Sequence, residues 1–207
     1  MIALQMAQPV KLSEKPSQQQ YPAPLKPAPL TAHDSVLDCS SPPTLAPLTI
    51  NDPIYGQQII TEQSLLAIIA SPAIQRLKHV TQHGISAVLR MTCSGEPVTR
   101  YDHSIGAMLC VRVCGNGSIE AQAAALLHDV AHTSLSHVAD SVFGYVIHEE
   151  DKIYFLREVI DFLPLLEQHF THDVLEEERY PLLEQDPPAL CADRCDCKLS
   201  RLPVVLR

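Results

Sequence analysis

The sequence predicts an all-α protein carrying an unstructured, proline-rich N-terminal tail. Three observations lead there. Apolar residues recur at helical spacing in several segments between Ser64 and Phe170, no segment sustains a strand-like alternation of useful length, and residues 1–47 hold much of the proline. Gln18-Gln19-Gln20 and the Pro-Ala-Pro and Pro-Leu steps around Pro22–Pro29 show little apolar periodicity, so this stretch reads as disordered or polyproline-like. A tail with so little apolar surface is expected to be removable without loss of stability, which limited proteolysis checks.

From Leu48 onward the pattern becomes helical. A short helix is predicted over 64–69. Ser71-Pro72 then supplies an N-cap followed by proline at the first helical position, opening a helix over 73–82 that ends near Gly84. Residues 87–99 read as irregular, with a turn at Ser94-Gly95-Glu96-Pro97. Helices are predicted over 104–113, 118–130 and 134–143, the first two separated by Gly115-Asn116-Gly117. Two more follow over 149–162 and 165–170.

Composition excludes several classes. The chain has 207 residues and 46% hydrophobic content, enough for one sizeable domain with a real core. It has no run of eighteen or more apolar residues, and its N-terminus lacks a basic stretch followed by an apolar core. No membrane span or secretory signal is therefore expected, and the protein reads as intracellular, cytoplasmic or nuclear. A net charge of −9 argues against a general nucleic-acid surface. Seven cysteines without a regular framework read as reduced thiols. Cys110 and Cys114 are expected on an apolar helix face. Cys191, Cys195 and Cys197 make only a weak zinc pattern, because a second ligand pair at suitable distance is absent. Glu176-Glu177-Glu178 reads as a solvated acidic face.

The chemistry concentrates at His128-Asp129. This pair closes the apolar segment 119–127, with His103 upstream and His132 and His137 downstream. A buried carboxylate needs a positive partner, and imidazole is the commonest transition-metal ligand. In a continuous helix His128 and His132 would share one face, with Asp129 about 100° round from His128. An ion at that helix edge could touch His128 and Asp129, but two ligands rarely hold a catalytic metal, so further donors must come from elsewhere. His103 lies on the preceding helical segment, which a short hairpin could fold back alongside. These positions point to a metal-dependent hydrolase.

Together, Arg100-Tyr101-Asp102-His103-Ser104-Ile105-Gly106, Leu126-Leu127-His128-Asp129-Val130-Ala131-His132 and Ser136-His137 resemble the HD-domain phosphohydrolases. Within that superfamily they are similar to the branch of dNTP triphosphohydrolases that includes the vertebrate enzyme with an attached SAM domain. Asn51-Asp52-Pro53-Ile54-Tyr55-Gly56, Gln75-Arg76-Leu77-Lys78, His148-Glu149 and Ala192-Asp193-Arg194-Cys195-Asp196 extend the resemblance over about residues 48–197, in the family's order. The implied fold is an HD-domain helical bundle at 48–197, followed by a short divergent tail at 198–207.

The resemblance places the family's four metal ligands on His103, His128, Asp129 and Asp193. That donor set suits Mn, Fe, Zn or Mg, whose task would be to polarise a phosphoryl oxygen and acidify a water. It also implies that His132, His137, His148 and Asp140 line the catalytic and phosphate pocket, where a histidine could serve as general acid. Arg100 and Arg194 would neutralise phosphate charge, and Gln82 would contact the sugar or base. The implied partner is a nucleotide or other phosphate ester, and a homo-oligomer is open.

The sequence also departs from the family. His128-Asp129-Val130-Ala131-His132-Thr133-Ser134-Leu135-Ser136-His137 keeps the ligands of the usual motif and changes only small and apolar positions. Cys197 stands where relatives carry tyrosine, and the chain stops at Arg207 where they continue into further helices. The expectation is a shortened product in which Asp193 is poorly held. Two alternatives to an active phosphohydrolase follow: a metal-binding but catalytically impaired homologue, and a non-enzymatic interaction protein.

Overall fold

A computed structural model describes residues 44–82, 84, 98–115, 118–135 and 152–199, all within one compact unit. Most of the proline-rich tail, residues 136–143 of the helix expected over 134–143, and His137, Asp140 and His148 lie outside the described residues, while Ser134 and Leu135 form a turn.

The fold is mostly helical, with one departure at its start. Strands β1 (Leu48–Asp52) and β2 (Gly56–Ile60) pair antiparallel, Leu48 opposite Ile60 and Asp52 opposite Gly56. The sequence reading missed this hairpin because each strand is only five residues long and β2 opens on Gly-Gln-Gln. Its turn is nonetheless specified locally. Asp52 Oδ1 accepts hydrogen bonds from the amides of Ile54 (2.7 Å) and Tyr55 (3.0 Å), and Gly56 takes φ of 72°. Just upstream, the Leu45 backbone is paired in both directions with the Gln63 side-chain amide, at 2.7 and 2.9 Å. A truncation that spares this contact therefore ends at residue 44 rather than 47.

Helix α1 (Gln63–Ala70) buries Leu65, Leu66, Ile68 and Ile69. Ser71 then caps α2 (Pro72–Gln75), accepting from the Ile74 amide, with proline at the start as expected. The helix predicted to reach residue 82 stops much earlier. It tightens into a 3-10 turn over Arg76–His79 and then extends, because Val80 and Gln82 pair with the segment that leads into the next helix. The Arg100 amide donates to the Val80 carbonyl (2.7 Å) and the Gln82 amide to the Val98 carbonyl (2.9 Å), so tertiary pairing overrides helical periodicity.

Helix α3 (Arg100–Cys114) starts four residues before the predicted 104. Thr99 and Asp102 form a reciprocal capping box: the Thr99 hydroxyl accepts from the Asp102 amide, and the Asp102 carboxylate accepts from the Thr99 amide, both at 3.1 Å. His103 thereby sits in the first turn, inside the bundle. Ser118 caps α4 (Ile119–Leu127), which packs on α3. This helix also ends before its predicted limit: residues 128–131 form a turn closed by Val130 N to Leu127 O (3.1 Å) and His132 N to Asp129 O (3.0 Å). His128 and His132 therefore do not share a helix face, which corrects the sequence reading.

Downstream, α5 runs from Lys152–Tyr154 into a π-helical turn at Phe155–Val159. Helix α6 (Leu163–Glu167) is followed by 3-10 turns at His172–Leu175 and Glu177–Arg179. Helix α7 (Ala192–Leu199) then returns to pack on α3. The core between these elements includes Leu65, Ile68, Ile74, Met108, Leu109, Leu126, Leu127, Leu156 and Leu166. Cys110 is buried as expected, but Cys114 is exposed. No helix among the described residues is long and apolar enough to cross a membrane.

Candidate metal centre

Three helical elements carry acidic and imidazole side chains to one buried point: the first turn of α3, the end of α4, and the first turn of α7. His103 Nε2 lies 2.8 Å from Asp193 Oδ1 and 3.2 Å from His128 Nε2. His128 Nε2 is 3.6 Å from both Asp129 Oδ2 and Asp193 Oδ1, and His103 Nε2 is 3.9 Å from Asp129 Oδ2. His103, His128 and Asp129 are all buried, and their donor atoms fall within 4.8 Å of one another. All four residues singled out for metal binding are thus brought together.

The outer nitrogens decide how these imidazoles point. His128 Nδ1 is 2.7 Å from the Ala125 carbonyl, which can only accept, so Nδ1 carries a proton and Nε2 faces the cluster. His103 Nδ1 likewise donates to Asp196 Oδ2 at 2.8 Å. Both rings therefore aim Nε2 at the same place. Two imidazole nitrogens 3.2 Å apart, faced by two carboxylates, suit a shared cation.

Electrostatics agree. Burial works against charge on His103, but hydrogen bonds to Asp193 and Asp196 and the charge of Asp129 outweigh it, raising its pKa to about 9. Burial also opposes charge on His128, yet Asp129 and Asp193 raise its pKa too. Burial would raise both carboxylates. The neighbouring His128, His132 and Arg100 instead hold Asp129 well below the usual range, and hydrogen bonds from His103 and His128 do the same for Asp193. The cluster favours positive charge at its centre, and protons on the imidazoles supply it where no divalent ion does.

Around this centre, Arg100 Nη1 meets Asp129 Oδ2 at 2.5 Å, and His132 Nε2 meets Asp129 Oδ1 at 3.1 Å. The Gln82 backbone carbonyl accepts from Arg100 Nη2 at 3.5 Å. Arg194 is engaged elsewhere, by Glu184 (3.1 Å), Cys191 Sγ (3.1 Å) and the Gln185 carbonyl. Glu184, Cys191 and Asp193 also lie close enough together to hold an ion, but the Arg194 guanidinium already meets two of them. Cys191, Cys195 and Cys197 form no such group among the described residues.

Sequence reasoning gave no role to Arg76. Its guanidinium donates to the carbonyls of Val130 and His132 (2.9 Å) and lies 4.6 Å over the Phe155 ring. It thus holds the turn bearing Asp129 from the outside. Arg76→Ala is expected to destabilise the protein by about 2–4 kcal/mol in urea unfolding, by leaving buried carbonyls unmet. Arg76→Lys should recover little, since a point charge cannot reach both carbonyls as a planar fork does.

Over 158 residues the chain is 39% identical to the metal-dependent phosphohydrolase cns2 of Cordyceps militaris, an alignment covering 73% of this chain and 44% of that protein. The chain is a relative of a metal-dependent phosphohydrolase. It is also 40% identical over 157 residues to the uncharacterized protein YdhJ of Bacillus subtilis, covering 73% of this chain and 47% of that one. The chain therefore spans less than half of each of these two proteins. No protein-family model matches the chain. A hypothetical protein from Aquifex aeolicus shares the fold, with a TM-score of 0.57 at 23% identity over 75% of this chain and 46% of that one.

Proposed function

We propose that this chain is an HD-type metal-dependent phosphohydrolase acting on nucleotides, in the manner of the dNTP triphosphohydrolases. The observation that carries this reading is the meeting of His103, His128, Asp129 and Asp193 with both Nε2 atoms turned inward. The relationship to cns2 supports the same class of chemistry.

The four side chains would hold one divalent ion, Mn, Fe, Zn or Mg. Bound there, the ion supplies Lewis acidity to a phosphoryl oxygen and lowers the pKa of a water. The protein's own groups do the rest. Ala125 and Asp196 fix the two imidazoles by accepting their Nδ1 protons. Arg100 pins Asp129 and places positive charge beside the position of an anionic phosphoryl group. His132 donates through Nε2 to Asp129, so any proton it gives a leaving oxygen must come from Nδ1. His137, His148 and Asp140 are proposed for the same pocket on their motif positions, and Gln82 for the sugar or base. Arg194 would have to leave Glu184 to meet a phosphate.

Asp193 is held beside the two imidazoles by contacts among the described residues. The Ala192 and Asp193 amides donate to the carbonyls of Leu182 (2.8 Å) and Leu183 (3.3 Å), and α7 packs on α3. This arrangement favours an active enzyme over an impaired homologue. The test is a screen for phosphate or triphosphate release from dNTPs and phosphodiesters with each of the four metals. Turnover lost in Asp193→Ala is expected. A folded, metal-loaded protein that hydrolyses none of these substrates would refute the proposal.

A further inference from the structure

We propose that Asp196 is a positioning residue that sets His103 for metal binding, and that Tyr55 and Gly106 exist in this fold to place Asp196. This deepens the proposed function and rests on the metal-site reading for its affinity arm alone.

Asp196 is buried at 2% exposure, on the same helix as Asp193 and one turn further along. Its two oxygens have separate tasks. Oδ2 accepts the Nδ1 proton of His103 at 2.8 Å, and Oδ1 accepts from the Tyr55 hydroxyl at 3.3 Å. Tyr55 comes from the β1–β2 turn that Asp52 builds, so hairpin, α7 and α3 join at a single carboxylate. The third element gives way to make room. A Cβ at Gly106 would stand 2.1 Å from Asp196 Oδ1 and 2.5 Å from its Cγ, far inside contact distance. Gly106 lies within α3, where glycine normally costs helix stability relative to alanine, so its presence there answers to the carboxylate rather than to the helix.

The function of this arrangement follows from the tautomer. An imidazole binds a metal through a lone pair, and His103 offers one on Nε2 only if its remaining proton stays on Nδ1. A buried carboxylate accepting that proton fixes the tautomer and the ring plane, and strengthens Nε2 as a donor. Asp196 does this for His103 as the Ala125 carbonyl does for His128. One short helix thus brings both Asp193 toward the ion and the group that aims His103.

Two routes to removing the contact make the test decisive. Asp196→Ala deletes the acceptor, and Gly106→Ala displaces it while leaving it chemically intact. Asp196→Asn keeps an oxygen able to accept from Nδ1, with its amide turned to the Tyr55 oxygen. Cobalt(II) titration followed by visible absorption is expected to show Asp196→Ala and Gly106→Ala weakened about 10–100-fold with an altered spectrum, and Asp196→Asn close to wild type. The double variant Asp196→Ala/Gly106→Ala should be no weaker than Asp196→Ala alone, because both act through one contact.

Histidine ¹⁵N NMR on metal-free protein supplies a readout independent of any ion. The His103 Nδ1 proton should be protected from exchange in wild type and in Asp196→Asn, and lost in both alanine variants. A wild type that keeps this proton but binds no cobalt would refute the metal-site reading, and with it the role in metal binding, leaving only the fixed His103 tautomer. Alanine variants, folded by circular dichroism, that bind cobalt as wild type does or retain the protected proton would overturn the role of Asp196.

Discussion

Asp129→Ala is expected to strip the protein of its divalent ion, abolish phosphate release and lower stability by about 3–5 kcal/mol, the usual loss when one partner of a buried charged pair is removed. The size of the effect follows from the company this carboxylate keeps. Oδ2 faces Arg100 at 2.5 Å, His128 at 3.6 Å and His103 at 3.9 Å, while Oδ1 takes His132 at 3.1 Å. Removing it leaves positive groups gathered in a buried space with one carboxylate fewer to balance them. Asp129→Asn keeps the shape and separates the two losses: the ion should still be lost, with a smaller drop in stability. Elemental analysis after gel filtration and urea unfolding measure both. An alanine variant that retains a full complement of metal would remove Asp129 from the site.

The second large effect concerns pH, and its sign depends on the ion. In the metal-free protein the His103 pKa is raised from 6.5 to about 9. A group whose folded-state pKa is raised contributes stability that is complete below the unfolded value and is lost as pH rises through the folded one. Metal-free protein should therefore lose on the order of a few kcal/mol between about pH 6.5 and pH 9. Bound metal reverses the trend, since a divalent ion must displace protons from His103 and His128 and so binds more tightly as pH rises. The melting temperature of chelator-treated protein should fall across that window, while that of metal-loaded protein holds or rises. Parallel curves would mean that proton and ion do not compete for the same nitrogens.

The site was more legible in the sequence than the fold that builds it, for physical reasons that differ residue by residue. His128-Asp129 at the end of an apolar segment, with His103 upstream, is costly to bury without a shared cation, and that cost can be read from residue types alone. Asp193 could not be found by spacing. It lies ninety residues from His103, and only the motif resemblance pointed to it. Asp196 stood in the same motif, but its role depends on a contact with His103 and on the missing Cβ of Gly106, neither of which a linear pattern contains.

Among the elements, the capped start of α4 was legible because Ser118 satisfies backbone donors locally. The start of α3, four residues before 104, is encoded in the Thr99–Asp102 capping box, a local polar signal that apolar periodicity does not contain. The early end of α2 was not available at all. Val80 and Gln82 extend because they pair with residues near Arg100, a tertiary choice that local propensity cannot anticipate. The β1–β2 hairpin fell between the two cases: its turn is encoded by Asp52 and Gly56, but its strands are too short for alternation to stand out.

His103, His128, Asp129 and Asp193 are proposed to close around one ion, and metal stoichiometry counts that ion. Purified protein is stripped with chelator, reconstituted separately with Mn, Fe and Zn, desalted and analysed for metal per chain alongside His128→Ala. About one ion per wild-type chain is expected for at least one of these metals and essentially none in the variant, because one of the two imidazole ligands is gone. Folded wild-type protein that emerges metal-free from all three reconstitutions would contradict it.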